Sequence, residues 1–239
     1  MRLAIISDVH SNLEALEGTL QEIKQRKVDA VIVLGDIVGY GADPNACIEL
    51  CRELTSYIIT GNHDYAVIHS EETQYFNNYA AKAVHWTATN ITEENSDFLN
   101  SLPMLIPWEN YLFVHSAPLK PAEWEYIMNQ WDAEPQFAGF SQKICFIGHT
   151  HVPVIFRKNN RAIASYGGIE LPLHEQLIIN VGSVGQPRDG NHKLSFAIFD
   201  DQQWQLEVVR LNYDIEKAAR KIVNAGLPSA LAERLFYGF

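Results

Sequence analysis

Residues Ala30 to Leu34 form an unbroken apolar run, mostly β-branched, that stops at Gly35 and delivers a single carboxylate, Asp36, ahead of Ile37-Val38-Gly39-Tyr40-Gly41. Such a run fits a parallel strand covered on both faces better than the alternating pattern of a half-exposed strand. Asp36 then stands at the carboxyl end of a strand, the edge at which open α/β sheets build their sites. In isolation, a turn or capping aspartate would read the same way. The arrangement recurs, however. Leu3 to Ile6 lead into Asp8 and His10, Tyr57 to Ile59 into Thr60-Gly61-Asn62-His63-Asp64, Tyr111 to Val114 into His115-Ser116, and Ile144 to Ile147 into Gly148-His149-Thr150-His151. Random turn chemistry does not bring ligand-type side chains to one strand end after another.

Between these strands the apolar period changes to that of a helix. Leu13, Leu16, Leu20 and Ile23 recur at helical spacing, and Asp43-Pro44 predicts an N-cap and first helical position for a helix running to Leu54. Tyr65 to Leu102 reads as helical, with His69 and His85 as core or surface histidines rather than ligands. Pro118 to Ser141, rich in Trp124, Tyr126, Trp131 and Phe137, is expected to be a helical, lid-like segment over residues 118–141. Beyond Val154 the pattern becomes short, mostly antiparallel strands: Val154 to Arg157, Arg161 to Ser165, Leu177 to Val181, Leu194 to Phe199 and Gln205 to Leu211. Tight turns are expected at Asn159-Asn160 and Asp200-Asp201. Asp214 caps a helix ending near Gly226, and Pro228 opens another, giving a helical tail over 214–239. With 239 residues, the expectation is one α/β domain over 1–239.

Charge and cysteine content narrow the function. A formal charge of −11 with no run of lysines or arginines argues against general nucleic-acid binding. An anionic substrate would have to be drawn by bound metal instead. Cys47, Cys51 and Cys145 give no even disulfide framework and no Cys-x-x-Cys spacing, so buried, reduced thiols are expected. No apolar run is long enough to span a bilayer, and Asp8 and His10 interrupt the apolar start before a leader h-region forms, which predicts a cytoplasmic protein with no membrane partner.

Asp8 and His10 lie two residues apart, as do His149 and His151, so an extended backbone would send both side chains of each pair to one face. Asp8, His10, Asp36, Asn62, His63, Asp64, His115, His149 and His151 stand at strand ends, and seven of them could be metal ligands; they offer carboxylate, imidazole and amide oxygen without thiolate, a set that favours Mn, Fe, Co, Ni or Zn. Two ions sharing one carboxylate would sit roughly 3.5 to 4 Å apart, the spacing used for in-line displacement at phosphorus. The glycine-rich stretch Gly182 to Gly190 lacks the Gly-Lys-Ser/Thr ending of a phosphate-binding Walker loop and the Gly-x-Ser-x-Gly spacing of a nucleophile elbow.

The order Asp-x-His, Gly-Asp, Gly-Asn-His-Asp, His, Gly-His-x-His resembles the calcineurin-like metallophosphoesterase superfamily, and all five blocks are present between Asp8 and His151. Gly-Asp-Ile-Val-Gly-Tyr-Gly and Gly-Ser-Val-Gly-Gln-Pro-Arg-Asp-Gly are further similar to a subgroup of small single-domain bacterial members. The resemblance implies a four-layer α-β-β-α sandwich of two mixed sheets flanked by helices, and a binuclear centre of two divalent transition-metal ions. It puts one ion on Asp8, His10, Asp36 and His151 and the other on Asp36, Asn62, His115 and His149, with Asp36 as the bridge and a bridging hydroxide as nucleophile. His63 would then face the leaving-group oxygen as general acid, with Asp64 holding its tautomer. Arg188, in the glycine-rich loop, reads either as a contact to a non-bridging phosphate oxygen or as a solvated loop arginine, and Tyr40 either as a substrate contact or as loop packing. The implied activity is hydrolysis of phosphoesters, diesters foremost, on a phosphorylated small molecule or nucleotide. The alternatives are a phosphomonoesterase or protein serine/threonine phosphatase, and a non-catalytic scaffold module, which the intact His63 and ligand positions disfavour. Oligomeric state leaves no trace in the sequence.

Overall fold

The computed structural model describes residues 1–158, 162–164 and 167–239. The Asn159-Asn160 turn lies outside the described residues, as do Arg161 and Ser165 at the ends of the strand expected there. Two sheets carry the fold. The first contains β1 (Arg2–Ile6), β2 (Ala30–Val33), β8 (Gly167–Glu170), β10 (Leu194–Asp200) and β11 (Gln205–Leu211), in the order β2-β1-β10-β11-β8. The second contains β3 (Leu105–Pro107), β4 (Tyr111–Val114), β5 (Ile144–Ile147), β6 (Val154–Arg157), β7 (Ile163–Ala164) and β9 (Leu177–Asn180), in the order β3-β4-β5-β9-β6-β7. Both are mixed: β1 runs parallel to β2 but antiparallel to β10, and β4, β5 and β9 run parallel while β3, β6 and β7 join antiparallel.

The period of two in each strand builds the layers. Leu3 and Ile5 of β1, Phe113 of β4, Ile144 and Phe146 of β5 and Phe199 of β10 point into one core between the sheets. Their neighbours Ala4, Ile6, Phe196 and Ile198 point the other way, against Ala15, Leu16 and Ile23 of α1 (Leu13–Arg26) and Cys47, Ile48 and Cys51 of α2 (Pro44–Leu54). Leu112, Val114, Cys145 and Ile147 face outward from the second sheet onto Ala133 and Phe137. The strands at the centre of both sheets are therefore covered on both faces, which explains why the runs read as continuously apolar. The result is the expected four-layer α-β-β-α sandwich. Each fully buried Leu, Ile or Phe contributes roughly 1.5–3 kcal/mol, and the stacked rings of Phe113 and Phe146, 5.6 Å apart, sit at the middle of the inter-sheet core.

The remaining helices are α3 (Asn62–Ile68), α4 (Asn78–Asn90), α5 (Glu93–Asn100), α6 (Gln130–Gln136), α7 (Ile215–Asn224) and α8 (Ser229–Glu233). Asp214 caps α7 through a bond from Lys217 N at 2.9 Å, as expected. Asp43 stands at the N-cap of α2 but makes no side-chain cap bond there, because its carboxylate accepts instead from Lys221 Nζ at 2.8 Å and ties α2 to the tail. Tyr57 to Ile59 makes only a single parallel bridge, Val33 to Ile58. The 118–141 segment is helical only over α6 and two short 3₁₀ turns, Pro121–Glu123 and Phe137–Gly139. Pro118 and Pro121 withhold amide donors, and Trp124 takes a positive φ of 51°, so a continuous helix cannot form. Of its aromatics Phe137 is buried, while Trp131 projects to solvent. The three cysteines are free and buried, and among the described residues no helix is long and apolar enough to cross a membrane.

Candidate metal centre and active site

β1 and β2 of one sheet and β4 and β5 of the other end at the same rim, and the polar residues beyond them converge there. Asp8, His10, Asp36, Asn62, His63, Asp64, His115, His149 and His151 are all buried. The two-residue spacing of Asp8 and His10, and of His149 and His151, works by a different geometry from the extended one expected. All four residues, with Asp36 and Tyr40, have φ between 50° and 66°. Left-handed backbone costs a non-glycine residue of order 1–3 kcal/mol and persists where the surroundings over-determine it, as it does here. The loops are pinned by main-chain bonds: His10 N donates to Asp36 O at 2.9 Å, Asp8 N to Gly35 O at 3.1 Å, and Gly185 N to Asp8 O at 2.9 Å. A Cβ on Gly61 would collide with Asp36 N and Oδ1, so only glycine lets α3 start against the carboxylate. His63 N then donates to Asp36 Oδ1 at 2.8 Å.

The side chains fall into overlapping groups whose ligand atoms lie within 4.8 Å of one another: Asp8, His10 and His151; Asp36, His115 and His149; and His10, Asp36 and His63. Asp36 Oδ2 lies 3.6 Å from His10 Nε2 and 3.4 Å from His115 Nε2, so a single carboxylate oxygen faces the first two groups. Asn62 Oδ1 is 3.2 Å from His115 Nε2, within the second group.

The imidazoles are oriented by carbonyl groups. Nδ1 of His10 donates to Val38 O at 3.0 Å, Nδ1 of His115 to Leu34 O at 2.7 Å, Nδ1 of His151 to Gln186 O at 2.5 Å, and Nε2 of His149 to Trp124 O at 2.9 Å. A neutral ring that donates from one nitrogen presents a lone pair on the other, which is how the partners of metal-binding histidines fix the tautomer. His10 Nε2 and His151 Nε2 thus confront each other as acceptors at 3.2 Å, with Asp8 Oδ1 3.2 Å from His151 Nε2 and lacking any donor. Buried acceptors facing one another without a proton between them are stabilised by a cation, and a divalent ion fits this donor set.

Electrostatics agree. Burial and the neighbouring Asp36 charge raise the Asp8 carboxyl to about 7, while burial lowers His149 to about 3, His63 to about 4, and His10 and His151 well below the usual imidazole value. Burial opposes ionisation of Asp36 as well, but His115 and His63 outweigh it and hold that carboxyl well below its ordinary value. At His115, burial is outweighed by the Asp36 and Asp8 carboxylates, which raise it to about 9.

Asp64 has a different place from the one expected. Its Oδ1 accepts from Val38 N at 3.0 Å and its Oδ2 from Gly61 N at 3.1 Å, so both oxygens hold main chain and neither orients His63. Burial and Asp36 raise its carboxyl to about 7. His63 Nδ1 has no hydrogen-bond partner among the described residues, and its ring packs on Tyr40 at 4.4 Å and Phe76 at 4.8 Å. Arg188 reaches the same corner, donating from Nη2 to Tyr40 Oη at 3.4 Å and to Gln186 Oε1 at 2.8 Å.

A cleft of about 550 Å³ opens from His63, Asn62 and His149, walled by Tyr75, Phe76 and Trp124. Tyr126, which also lines it, stacks on His149 at 4.0 Å. Tyr75, Phe76 and the stacking role of Tyr126 escaped the sequence reading, because an aromatic in a loop carries no period that separates wall from core. Asn180 was also missed: it is a strand-end polar residue on β9 that supports Thr150 Oγ1 at 2.9 Å.

Residues 1–203 match the family model for the calcineurin-like phosphoesterase superfamily domain. The chain is 44% identical to the uncharacterized protein MJ0912 of Methanocaldococcus jannaschii, over 99% of this chain and 98% of that one. The crystal structure of a metallophosphoesterase from Sphaerobacter thermophilus superposes with a TM-score of 0.90 at 38% identity, covering 100% of this chain and 99% of that one. That of hypothetical protein PH1004 from Pyrococcus horikoshii OT3 does so at 0.84 and 18% identity, covering 100% and 98%, a likeness of fold. A buried cluster able to hold metal, at the shared rim of a four-layer sandwich, and a family match over most of its length together assign this chain to the calcineurin-like phosphoesterase superfamily.

Proposed function

We propose that the protein is a binuclear metal-dependent phosphodiesterase. The observation that carries this reading is the position of Asp36, whose single oxygen faces one imidazole from each of two ligand groups. Asp8, His10, Asp36 and His151 would hold one ion, and Asp36, Asn62, His115 and His149 the other, with His149 using the nitrogen that Trp124 leaves free. When bound, the ions would supply Lewis-acid charge against phosphoryl oxygens and lower the pKa of water from about 15.7 to about 7.

The chain supplies the rest. His63 lies at the mouth of the cleft, where its ring, protonated once an anionic phosphate stands beside it, would give that proton to the departing oxygen and return to neutral imidazole. Its Nδ1 has no partner among the described residues, and the ring is held by packing on Tyr40 and Phe76. Arg188 brings a guanidinium toward the phosphate oxygens of the substrate, with Gln186 and Tyr40 holding its fork. The aromatic walls of the cleft would receive an organic leaving group and exclude water around it. Asp64 acts indirectly, fixing Val38 and Gly61 and thereby the loops of Asp36 and Asn62.

The test compares bis(4-nitrophenyl) phosphate with 4-nitrophenyl phosphate under identical manganese loading. The diester should be hydrolysed faster, and Asp36→Asn should abolish turnover of both. Preference for the monoester would favour a phosphomonoesterase, and full activity in Asp36→Asn would end the binuclear account.

A further inference from the structure

The C-terminal tail brings a second guanidinium to the ring that Arg188 touches. Arg234, at the start of the 3₁₀ turn Arg234–Phe236, places Cζ 5.8 Å from the Tyr40 ring centroid, against 5.7 Å for Arg188. Tyr40 in turn packs on His10 at 4.7 Å and His63 at 4.4 Å, so the two cations stand one ring away from the metal-binding cluster.

The tail is fastened there. Leu231, Ala232 and Leu235 share an apolar cluster with Tyr40, and Gly190 at the end of the Arg188 loop donates from N to Gly238 O at 3.0 Å. Gly238 N returns to Arg234 O at 3.0 Å, and a Cβ at Gly238 would press within 2.6 Å of the Asn191 backbone. Arg234 and Arg188 are therefore held on one framework.

Arg26, Arg52, Arg157, Arg210 and Arg220 each pair with a carboxylate. Arg188 does not, among the described residues. Arg188 donates to the amide oxygen of Gln186 and the phenol of Tyr40, and Arg234 donates from Nε to an oxygen of the carboxyl group of Phe239, the last residue of the sequence. Two half-buried guanidiniums that share a ring, with no more than the Phe239 carboxyl group against them among the described residues, leave a net positive site, and guanidinium forks match phosphate oxygens two at a time.

We propose that Arg188 and Arg234, gathered on Tyr40, form a subsite for a second phosphate group of the substrate, while the scissile phosphorus lies at the Asp36 cluster. The inference rests on the phosphoesterase reading and sharpens it: the substrate is an organic phosphate that carries a further phosphate near the scissile bond. It also gives the helical tail a part in recognition.

Calorimetric titration of the full, manganese-loaded chain with inorganic pyrophosphate and with orthophosphate tests this. Wild type should bind pyrophosphate about tenfold or more tightly than orthophosphate, one extra charge-assisted contact. Arg234→Gln should bring the two within about twofold while melting unchanged, and Arg234→Lys should fall between. Equal affinities in wild type, or an unaltered preference in Arg234→Gln, would overturn the subsite. The wild-type measurement and Arg234→Lys decide the matter should Arg234→Gln not fold. Hydrolysis of bis(4-nitrophenyl) phosphate by wild type is the separate check on the phosphoesterase reading: its absence alongside a pyrophosphate preference lost in Arg234→Gln would overturn that reading and leave the subsite standing.

Discussion

Gly39→Ala displaces His63 without deleting it and without touching the seven side chains proposed to hold metal. Gly39 has a φ of +95°, and a Cβ there would meet His63 Nδ1 well inside van der Waals contact, with Cγ at 3.0 Å and Cβ at 3.2 Å. Positive φ costs an alanine roughly 1–2 kcal/mol, and moving a packed ring by about 1 Å adds roughly 1–3 kcal/mol. The sum centres near 3.5 kcal/mol, which lowers the melting temperature by about 7–14 °C in a chain of this size. A misplacement of about 1 Å at a proton donor lowers turnover by around a hundredfold. Metal content should stay at the wild-type value, because Asp8, His10, Asp36, Asn62, His115, His149 and His151 keep their positions. Calorimetric melting, elemental analysis and diester hydrolysis on one preparation separate these effects. Wild-type turnover in a destabilised Gly39→Ala protein would refute the role of His63, and loss of metal would refute the claim that the displacement is local.

Asp64→Ala leaves the amides of Val38 and Gly61 without an acceptor and should cost about 2–4 kcal/mol in denaturant titration; a rate loss at unchanged stability would restore the idea that Asp64 orients His63. Phe146→Ala opens the inter-sheet core and should cost about 3–5 kcal/mol with an unchanged denaturant slope. Glu14, buried against Lys221 Nζ at 2.7 Å and Lys217 Nζ at 3.0 Å, has its carboxyl raised by burial but lowered further by the two ammonium groups, for a net folded value below 4.5. Stability from this group is present above pH about 4.5 and is lost as pH falls through the folded value. Glu14→Gln should therefore be less stable than wild type at pH 7 and approach it in acid, as melting curves at several pH values would show; a gap that widens in acid would contradict the pairing.

Much of the site was legible because the chemistry sits at strand ends. Continuous apolar runs such as Ile144 to Ile147 announce strands covered on both faces, and each stops at a residue type that binds metal. The loops beyond the strand ends were harder to read. Asp8 and His10 do converge, yet through left-handed backbone held by Asp36 O and Gly35 O, partners that no local pattern reveals. Asp64 is drawn to Val38 N, which is distant in sequence, and Asp43 leaves its own helix for Lys221 for the same reason. Leu105–Pro107 and Gly167–Glu170 are strands by pairing alone, their proline and glycines carrying no strand signal. The tail read correctly as helices, but nothing in its sequence shows Arg234 arriving at Tyr40.

The shared carboxylate of Asp36 is the centre of the account, and metal stoichiometry tests it most directly. Elemental analysis of the dialysed protein should find about two equivalents of manganese per wild-type chain and no more than about one in Asp36→Asn, because removing a bridging charge weakens both sites. One equivalent in wild type, or two tightly held equivalents in Asp36→Asn, would contradict it.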